Sequence, residues 1–467
     1  MKEGKHQEAT EIFGDTQVQI TMEGRKYLGG ALGTKAYTAK YSSETVDDWV
    51  REVQRLAKFA TTQPHAAYAA LTHGLISRWT YSLRVNQTLS EEVLQPLEKA
   101  ISQSLIPALT GQPAPNNQTR QLLALPCRLG GMGIVDATKL PAIQQPTSQA
   151  LCRPLVDLIK AQEGDTIKAS LEQQALKRQF HQHRRKQLET EALAVMSSLP
   201  HSIKKSALVA QEKGVSSWLS ALPIQQFGFA LHKGAFRDAI ALRYGWPLHL
   251  VPETCACGQP FSTDHALICK CGGFVVHRHD ELRDLTASLL RDVCRNVSTE
   301  PVLQPLTGEQ LERSANTNDQ ARLDIRATGF WGEPHQDAFF DIRVFYPLAS
   351  SYRSTSIAAN YRQQQARKRR EYVQRVRDVE HGCFTPLVFT TGGGMAREAT
   401  VFFKRLASML SEKKQESYAQ TMGWLRCCIS FLLLRASITC IRGTRKGKIN
   451  FDKDSILEAT ASVCLPQ

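Results

Sequence analysis

The chain has 467 residues, of which 42% are hydrophobic, enough to bury the cores of about three domains. Lysine and arginine (58) outnumber aspartate and glutamate (44), and the resulting net charge of +14 favours a polyanionic partner, nucleic acid before an acidic membrane surface. No stretch approaches the roughly 18 uninterrupted apolar residues of a membrane span. The first residues also lack the apolar core of a signal peptide, so we expect neither a membrane partner nor secretion.

The first third of the chain is predicted to be mostly helical. Apolar residues recur at i, i+3, i+4 and i+7 spacing from Val46 to Ala60, behind Ser42 and Ser43, which predicts a helix starting at those serines. Residues 160–215 then become rich in Lys, Arg, Gln and Glu, a composition typical of an exposed, charged helical linker.

A cysteine cluster follows this linker. Five of the twelve cysteines fall within about 40 positions, which favours an intracellular metal site over a disulfide scaffold. Cys255, Cys257, His265 and Cys269 have the spacing of a tetrahedral zinc site, and Cys271 competes with Cys269 for the fourth position. Because four protein ligands leave no position for water, the zinc would be structural. The alternative is simple burial of small thiols.

A short basic motif lies between this cluster and a helix predicted at Leu282–Val293. Arg278 and His279, with further arginines nearby, suit a clamp for a nucleic-acid phosphate. The alternative is an ordinary surface histidine.

The stretch from Ala321 to Tyr346 is predicted to be a β-hairpin, because two runs alternate with a period of two around a glycine- and proline-containing turn. Pairing about a centre near Gly332 and Glu333 places Asp324 roughly opposite Asp341 on one polar face. Two like charges so placed repel, and a divalent cation would remove that repulsion and support phosphodiester cleavage. The alternative is a solvated hairpin with two surface acids.

A strongly basic helix is predicted from Tyr361 to Asp378, where Tyr361 and Tyr372 would offer stacking platforms between the cations. We expect nucleic-acid contact through this helix, rather than a merely solvated face. Its proposed phosphate contacts are Arg367, Lys368, Arg369 and Arg370.

The order of these parts resembles the C-terminal portion of a LINE-type (non-LTR) retrotransposon polyprotein. The resemblance rests on a Gly-x-x-x-Leu-Gly turn, thumb-like helices, the Cys-x-Cys…His…Cys knuckle, Arg-His-Asp, the two hairpin acids and the basic helix, and it runs from about Thr21 to Arg442. It implies a restriction-like endonuclease with a PD-(D/E)xK fold. No Tyr-x-Asp-Asp motif of a polymerase palm occurs in the chain.

The resemblance also implies roles for individual residues. Asp324 and Asp341 would bind Mg²⁺ or Mn²⁺, and Glu300 would be the third acid that often joins such a pair. Arg343 stands two positions after the second acid, where the family has lysine, and arginine cannot act as a base. Lys368 could supply the missing ammonium.

We therefore expect an α/β chain, α+β overall, with a mostly helical N-terminal half, a small zinc knuckle and a PD-(D/E)xK-like mixed-sheet nuclease domain. The expected function is metal-dependent DNA nicking in the nucleus or cytoplasm, with DNA as the partner, while binding of the element's RNA is left open. The alternative is a catalytically decayed nucleic-acid-binding fragment, and a zinc-stabilised interaction protein is a weaker third. The expected parts are a thumb-like region at 1–155, a charged linker at 156–215, a helix plus knuckle at 216–275, a nuclease at 276–445 and a tail at 446–467.

Overall fold

The computed structural model describes residues 5–162, 164–352 and 354–443, so the predicted tail at 446–467 lies outside the described residues. The chain divides into two compact units. One contains Met1–Pro200 and His232–Arg237, and the other contains His201–Leu231 and Asp238–Gln467. The predicted linker, 156–215, thus belongs partly to each unit, while the predicted knuckle and nuclease share one.

The first unit is helical apart from a two-stranded hairpin. The hairpin is β1 (Gly24–Tyr27) and β2 (Gly30–Gly33). The helices, with π-helical turns at Ala70–Leu75 and Ile101–Leu105, are α1 (His6–Phe13), α2 (Lys35–Ala60), α3 (Pro64–Ala69), α4 (Ile76–Val85), α5 (Glu91–Ala100), α6 (Ile106–Thr110), α7 (Asn117–Ala124), α8 (Leu140–Ala161) and α9 (Thr166–Ser198).

In helix α2 the local sequence pattern predicted the buried face but not the first residue. Its predicted apolar stripe is the buried face, which includes Val46, Trp49 and Val53. The predicted start at the serines is wrong, because the helix begins at Lys35. Thr34 caps it by accepting a hydrogen bond from the backbone N–H of Tyr37, which satisfies a donor that the first turn leaves open.

The second unit surrounds a four-stranded sheet. Its strands are β3 (Arg295–Thr299), β4 (Ile325–Thr328), β5 (Asp337–Phe345) and β6 (Cys383–Thr390). Its helices, of which the third spans the boundary between the units, are α10 (His201–Ala210), α11 (Ser217–Ser220), α12 (Lys233–Tyr244), α13 (Thr263–Ile268), α14 (Phe274–Arg291), α15 (Ile357–Asp378), α16 (Arg397–Lys414) and α17 (Tyr418–Gly443).

The sheet is mixed and has the order β3-β4-β5-β6. The pairs β3–β4 and β4–β5 are antiparallel, whereas β6 runs parallel to β5. A parallel neighbour requires a crossover, and helix α15 provides it. The expected mixed α/β class with a predominance of helix is therefore confirmed, and 61% of the structure is helical.

Both faces of the sheet are covered. On one face Phe340 and Leu387 share a core with Phe402 of α16 and Leu425 of α17. The opposite face is covered by α15, and Phe339 lies there in a smaller cluster with residues of that helix. Strand β5 is therefore buried on both sides, as central strands with a parallel neighbour commonly are.

Helix α17 is long and apolar enough to cross a membrane by length and composition alone. Its most apolar window has a mean hydropathy of 1.6, and 61% of that window is buried inside the second unit. Leu425, Ile429 and Leu433 belong to the core on the sheet. Packing in the core therefore accounts for its apolar composition.

Candidate metal knuckle and acid pair

The predicted zinc ligands come together. Among the described residues, Cys255, Cys257, His265 and Cys269 form the one group of three or more such side chains that could hold a metal ion, with ligand atoms within 4.8 Å of one another. The Sγ atoms of Cys255 and Cys269 are 3.8 Å apart, and Cys257 Sγ lies 3.1 Å from His265 Nε2. A tetrahedral ion with Zn–S bonds of about 2.3 Å would separate two sulfurs by about 3.8 Å.

Local backbone structure presents these ligands. The amide of Cys255 bonds to the carbonyl of Gln259 at 2.8 Å, which folds the Cys-x-Cys segment into a tight turn. Helix α13 carries His265 and ends at Ile268, directly before Cys269, and Ser262 caps its first turn. Cys271 is exposed and outside the group, so Cys269 supplies the fourth ligand atom.

The thiols of the knuckle differ in acidity. A backbone hydrogen bond from Gln259 lowers the pKa of Cys257 to about 7, whereas burial raises the pKa of Cys269 to about 11. A metal ion binds the thiolate form. Cys257 therefore supplies a ligand that is already ionised in part near neutral pH.

The predicted hairpin has the predicted register. Ile325 pairs with Phe340 and Arg326 with Phe339, so the centre lies between positions 332 and 333. The backbone N–H of Asp324 bonds to the carbonyl of Phe340 at 3.2 Å, although Phe340 is the register partner of Ile325, so the ladder is irregular at Asp324. The Asp324 carboxylate nevertheless accepts a hydrogen bond from the backbone N–H of Ile342, which places it beside Asp341.

The expected polar, solvated face is wrong. The side chain of Asp324 is 16% exposed, and Asp341 as a whole is only 5% exposed. Helix α15 places Lys368 against Asp341 and helix α14 places His279 against Asp324, so the interpretation of two solvated surface acids fails. Arg343, two residues further along β5, is exposed.

Asp324 is paired with His279 of helix α14. The Nε2 atom of His279 lies 3.1 Å from both Asp324 Oδ2 and the carbonyl oxygen of Ile342, and the backbone N–H of Ile342 donates to the same carboxylate. Burial by itself lowers the pKa of His279. The hydrogen bonds and charges of Asp324 and Asp280 outweigh that effect and raise the pKa to about 9.

Asp341 is paired with Lys368 of helix α15. The ammonium Nζ lies 3.0 and 3.1 Å from the two carboxylate oxygens, and 3.7 Å from Glu371. Burial raises the pKa of Asp341 to about 6; the positive charge of Lys368 opposes the rise and the charge of Asp324 adds to it. The site thus consists of two adjacent carboxylates, each held against one cation from a different helix.

Two of these partners escaped sequence reasoning. His279 was assigned to a phosphate, and nothing in the local sequence connects it to Asp324, 45 positions away. Glu371 could have been found, because it lies at i+3 from Lys368 on the predicted helix.

Glu300 does not join the acid pair. It follows strand β3 with a positive φ of 50°, and its carboxylate is half exposed. Arg283 and Arg322 form ion pairs with it instead. Its expected role as a third metal ligand is therefore corrected: the group is a surface acid held by two arginines.

Arg278 also needs correction. The residue is only 2% exposed, and its guanidinium donates to the carbonyl of Leu267 at 3.3 Å, with Cys440 Sγ at 3.8 Å. It holds helix α14 against the knuckle helix. A buried guanidinium cannot reach a nucleic-acid phosphate, so the expected clamp is not formed by this side chain.

The predicted basic helix is α15, but its cations differ in exposure and in hydrogen-bond partners. Arg367 and Arg370 are exposed, whereas Arg369 forms a bidentate pair with Glu398. Arg375 is fully buried and donates to backbone carbonyls. A smaller set of exposed cations therefore remains for an anionic partner.

The two tyrosines of this helix are not surface stacking platforms. Tyr372 is 6% exposed and packs in the small cluster under α15. The hydroxyl of Tyr361 donates to Glu212 at 2.7 Å, and its ring packs against Phe345. Helical periodicity turned both tyrosines inward, toward the sheet that α15 covers.

No protein-family model matches this chain, and no curated protein matches it. The functional class of this protein is therefore inferred from its candidate site alone. The described part of the chain carries a Cys3His cluster that could bind a metal such as zinc, beside a mixed sheet that holds two paired acids.

Proposed function

We propose that this chain is a metal-dependent nuclease that nicks DNA, in the manner of the restriction-like endonuclease of non-LTR retroelements. The observation that carries the proposal is the placement of the Asp324 carboxylate on the backbone N–H of Ile342, beside Asp341, with Lys368 against the second acid. The mixed sheet, in which a parallel strand extends an antiparallel hairpin, is compatible with a PD-(D/E)xK-like domain. Such a protein acts on DNA, in the nucleus or the cytoplasm.

The residues of the pair suit a hard divalent cation. Two neighbouring carboxylates supply the oxygen ligands that Mg²⁺ or Mn²⁺ prefers, and they repel one another without a cation. When bound, such an ion polarises a phosphate and lowers the pKa of a coordinated water. Asp324 and Asp341 would hold it.

The cations around the pair have separate tasks in this proposal. Lys368 sits on a flexible four-carbon stem, so its ammonium can move from Asp341 to the phosphate and stabilise the charge that develops there. Arg343 is exposed on the same side of β5 and can orient a neighbouring phosphate, but it cannot accept a proton. His279 fixes the orientation of Asp324 through its hydrogen bond.

A second candidate is a nucleic-acid-binding protein whose nuclease has decayed. The observation that favours it is the internal charge balance, because His279 and Lys368 already neutralise both acids and Asp341 is only 5% exposed. A closed pair of this kind is stable without any metal.

Nicking of supercoiled plasmid separates the two candidates. The parent protein should nick with Mg²⁺ or Mn²⁺ and not without them, and Asp341→Asn should abolish nicking. Asp319→Asn is the matched control, since this acid is exposed. Lys368→Ala should lower the rate by about 100-fold or more, because an electrostatic donor at a transition state contributes that much.

If the parent protein does not nick DNA, measurement of metal binding distinguishes the two candidates. Asp324→Asn and Asp341→Asn should each weaken Mn²⁺ binding, and the double variant should lose little more, because residues that share one ion are not additive. Shared binding without nicking selects the decayed protein. Independent, additive losses would contradict a common metal site and with it the nuclease.

A further inference from the structure

The second unit contains a cavity of about 600 Å³ that the acid pair does not use. Helices α10, α12, α13 and α17 form its walls together with the segments that follow β5 and β6. His201, Ser202 and Gly245 line it and are exposed, so the cavity opens to solvent there. Its volume falls within the range of small-molecule sites, roughly 300–1,000 Å³.

The position of the cavity in the fold is that of a ligand site. Tyr346 directly follows β5 and Thr391 directly follows β6, and both line it. The cavity therefore lies at the carboxyl ends of the two parallel strands, where open α/β sheets bind their ligands. It is reached from Asp341 by five residues of β5, about 17 Å of extended chain.

The walls offer an aromatic surface. Trp246 is half-buried at the cavity, and its ring packs against the ring of Tyr244 with 4.8 Å between the ring centres. An aromatic ring that is held in place and partly open stacks on a planar aromatic ligand. Nucleobases are such ligands, and stacking of one base on an aromatic side chain tightens binding by about ten-fold or more.

The charges of the lining favour an anion. Lys205 and Arg243 line the cavity with one carboxylate, that of Asp264. The hydroxyl of Tyr346 donates to that carboxylate at 2.8 Å, and the Arg243 guanidinium donates to Ser216 Oγ at 2.7 Å. Two cations against one hydrogen-bonded carboxylate leave the cavity net positive, which suits a phosphate.

We infer that this cavity binds one nucleotide, with its base against Trp246 and its phosphate toward Lys205. The combination of an aromatic platform, a cationic lining and nucleotide-sized volume is what carries the inference. It does not depend on the proposed nuclease activity, since none of these residues belongs to the acid pair.

Calorimetric titration of the full chain without added divalent metal tests this site. The probes are dAMP, dTMP and 2-deoxyribose 5-phosphate, which has the phosphate and lacks the base. Both nucleotides should bind at least ten-fold more tightly than the sugar phosphate. Trp246→Ala should weaken nucleotide binding by about ten-fold or more, because stacking is lost, while Trp246→Phe should retain most of it.

The charge contribution has its own matched pair of variants. Lys205→Gln should weaken binding of both nucleotides, whereas Lys204→Gln, on the same helix but outside the cavity lining, should not. This pair keeps the test decisive even when Trp246→Ala fails to fold. Two results would overturn the inference. One is that neither nucleotide binds at concentrations from 10-fold that of the protein up to the millimolar range. The other is that the sugar phosphate binds as tightly as the nucleotides.

A short oligonucleotide identifies the source of the nucleotide. If hexathymidylate displaces dTMP and its own binding falls in the Trp246→Ala variant, the site takes a base from a nucleic-acid strand. If hexathymidylate does not compete, the ligand is a free nucleotide. Either result supports a nucleotide site, and neither depends on whether the plasmid is nicked.

Discussion

Replacing His279 by glutamine should make the protein less sensitive to alkali. Glutamine keeps a hydrogen-bond donor near Asp324 but carries no charge and does not titrate. The pKa of His279 is raised from its ordinary value of 6.5 to about 9 by Asp324 and Asp280. Such a group stabilises the fold fully below pH 6.5, and the contribution is lost as the pH rises through about 9. A shift of 2.5 units corresponds to about 3 kcal/mol.

The measurement is urea unfolding at pH 6.0, 7.5 and 9.5 in buffer without added divalent metal. Between the first and last pH the parent should lose about 3 kcal/mol more unfolding free energy than His279→Gln. Asp341 does not interfere, since its pKa of about 6 places most of its contribution below this window. His335→Gln, at an exposed histidine of the hairpin turn, is the control and should follow the parent.

Equal losses in the parent and in His279→Gln would refute the reasoning, because the imidazole would then gain no charge-dependent stabilisation from Asp324. An NMR titration adds a direct reading. The ring protons of His279 should titrate near pH 9 in the parent, and the midpoint should fall in Asp324→Asn.

Two further predictions concern the knuckle and the basic helix. Purified protein should contain one zinc per chain, and Cys257→Ser should lower that content while Cys271→Ser should not; equal zinc in both variants would contradict the assigned ligands. Changing both Arg367 and Arg370 to glutamine should reduce the slope of log DNA affinity against log salt by about 1.8, since each lost phosphate contact removes about 0.9. Arg377→Gln, at a cation already paired with Asp378, should leave the slope unchanged.

The sequence predicted those features that depend on local pattern. The period of two on each side of a glycine turn was enough to give the register from Ile325 to Phe340, whereas the irregular backbone at Asp324 was not predicted. The spacing in the sequence identified the knuckle ligands but left Cys271 as an alternative to Cys269. The structure places Cys269, directly after helix α13, in the ligand group and leaves Cys271 outside it.

What the sequence did not predict depends on contacts between distant segments. The parallel pairing of β5 with β6 leaves no mark in either strand, yet it brings α15 across the sheet and buries Asp341 and Tyr372. The same holds for Arg278 and Arg375, where a long aliphatic stem and several donors suit an interior position as well as a surface one. A count of the cations along a helix therefore does not separate the buried ones from the exposed ones.

The crossover through α15 also affects the folding of this unit. Strand β6 begins 38 positions after β5 ends, and loop closure over such a distance slows folding. Until β6 docks, one edge of β5 stays open, and its apolar residues Phe339, Phe340 and Ile342 can pair with the same edge of another chain. The nascent unit should therefore be prone to aggregate during synthesis, and slower synthesis or lower temperature should raise the yield of folded protein.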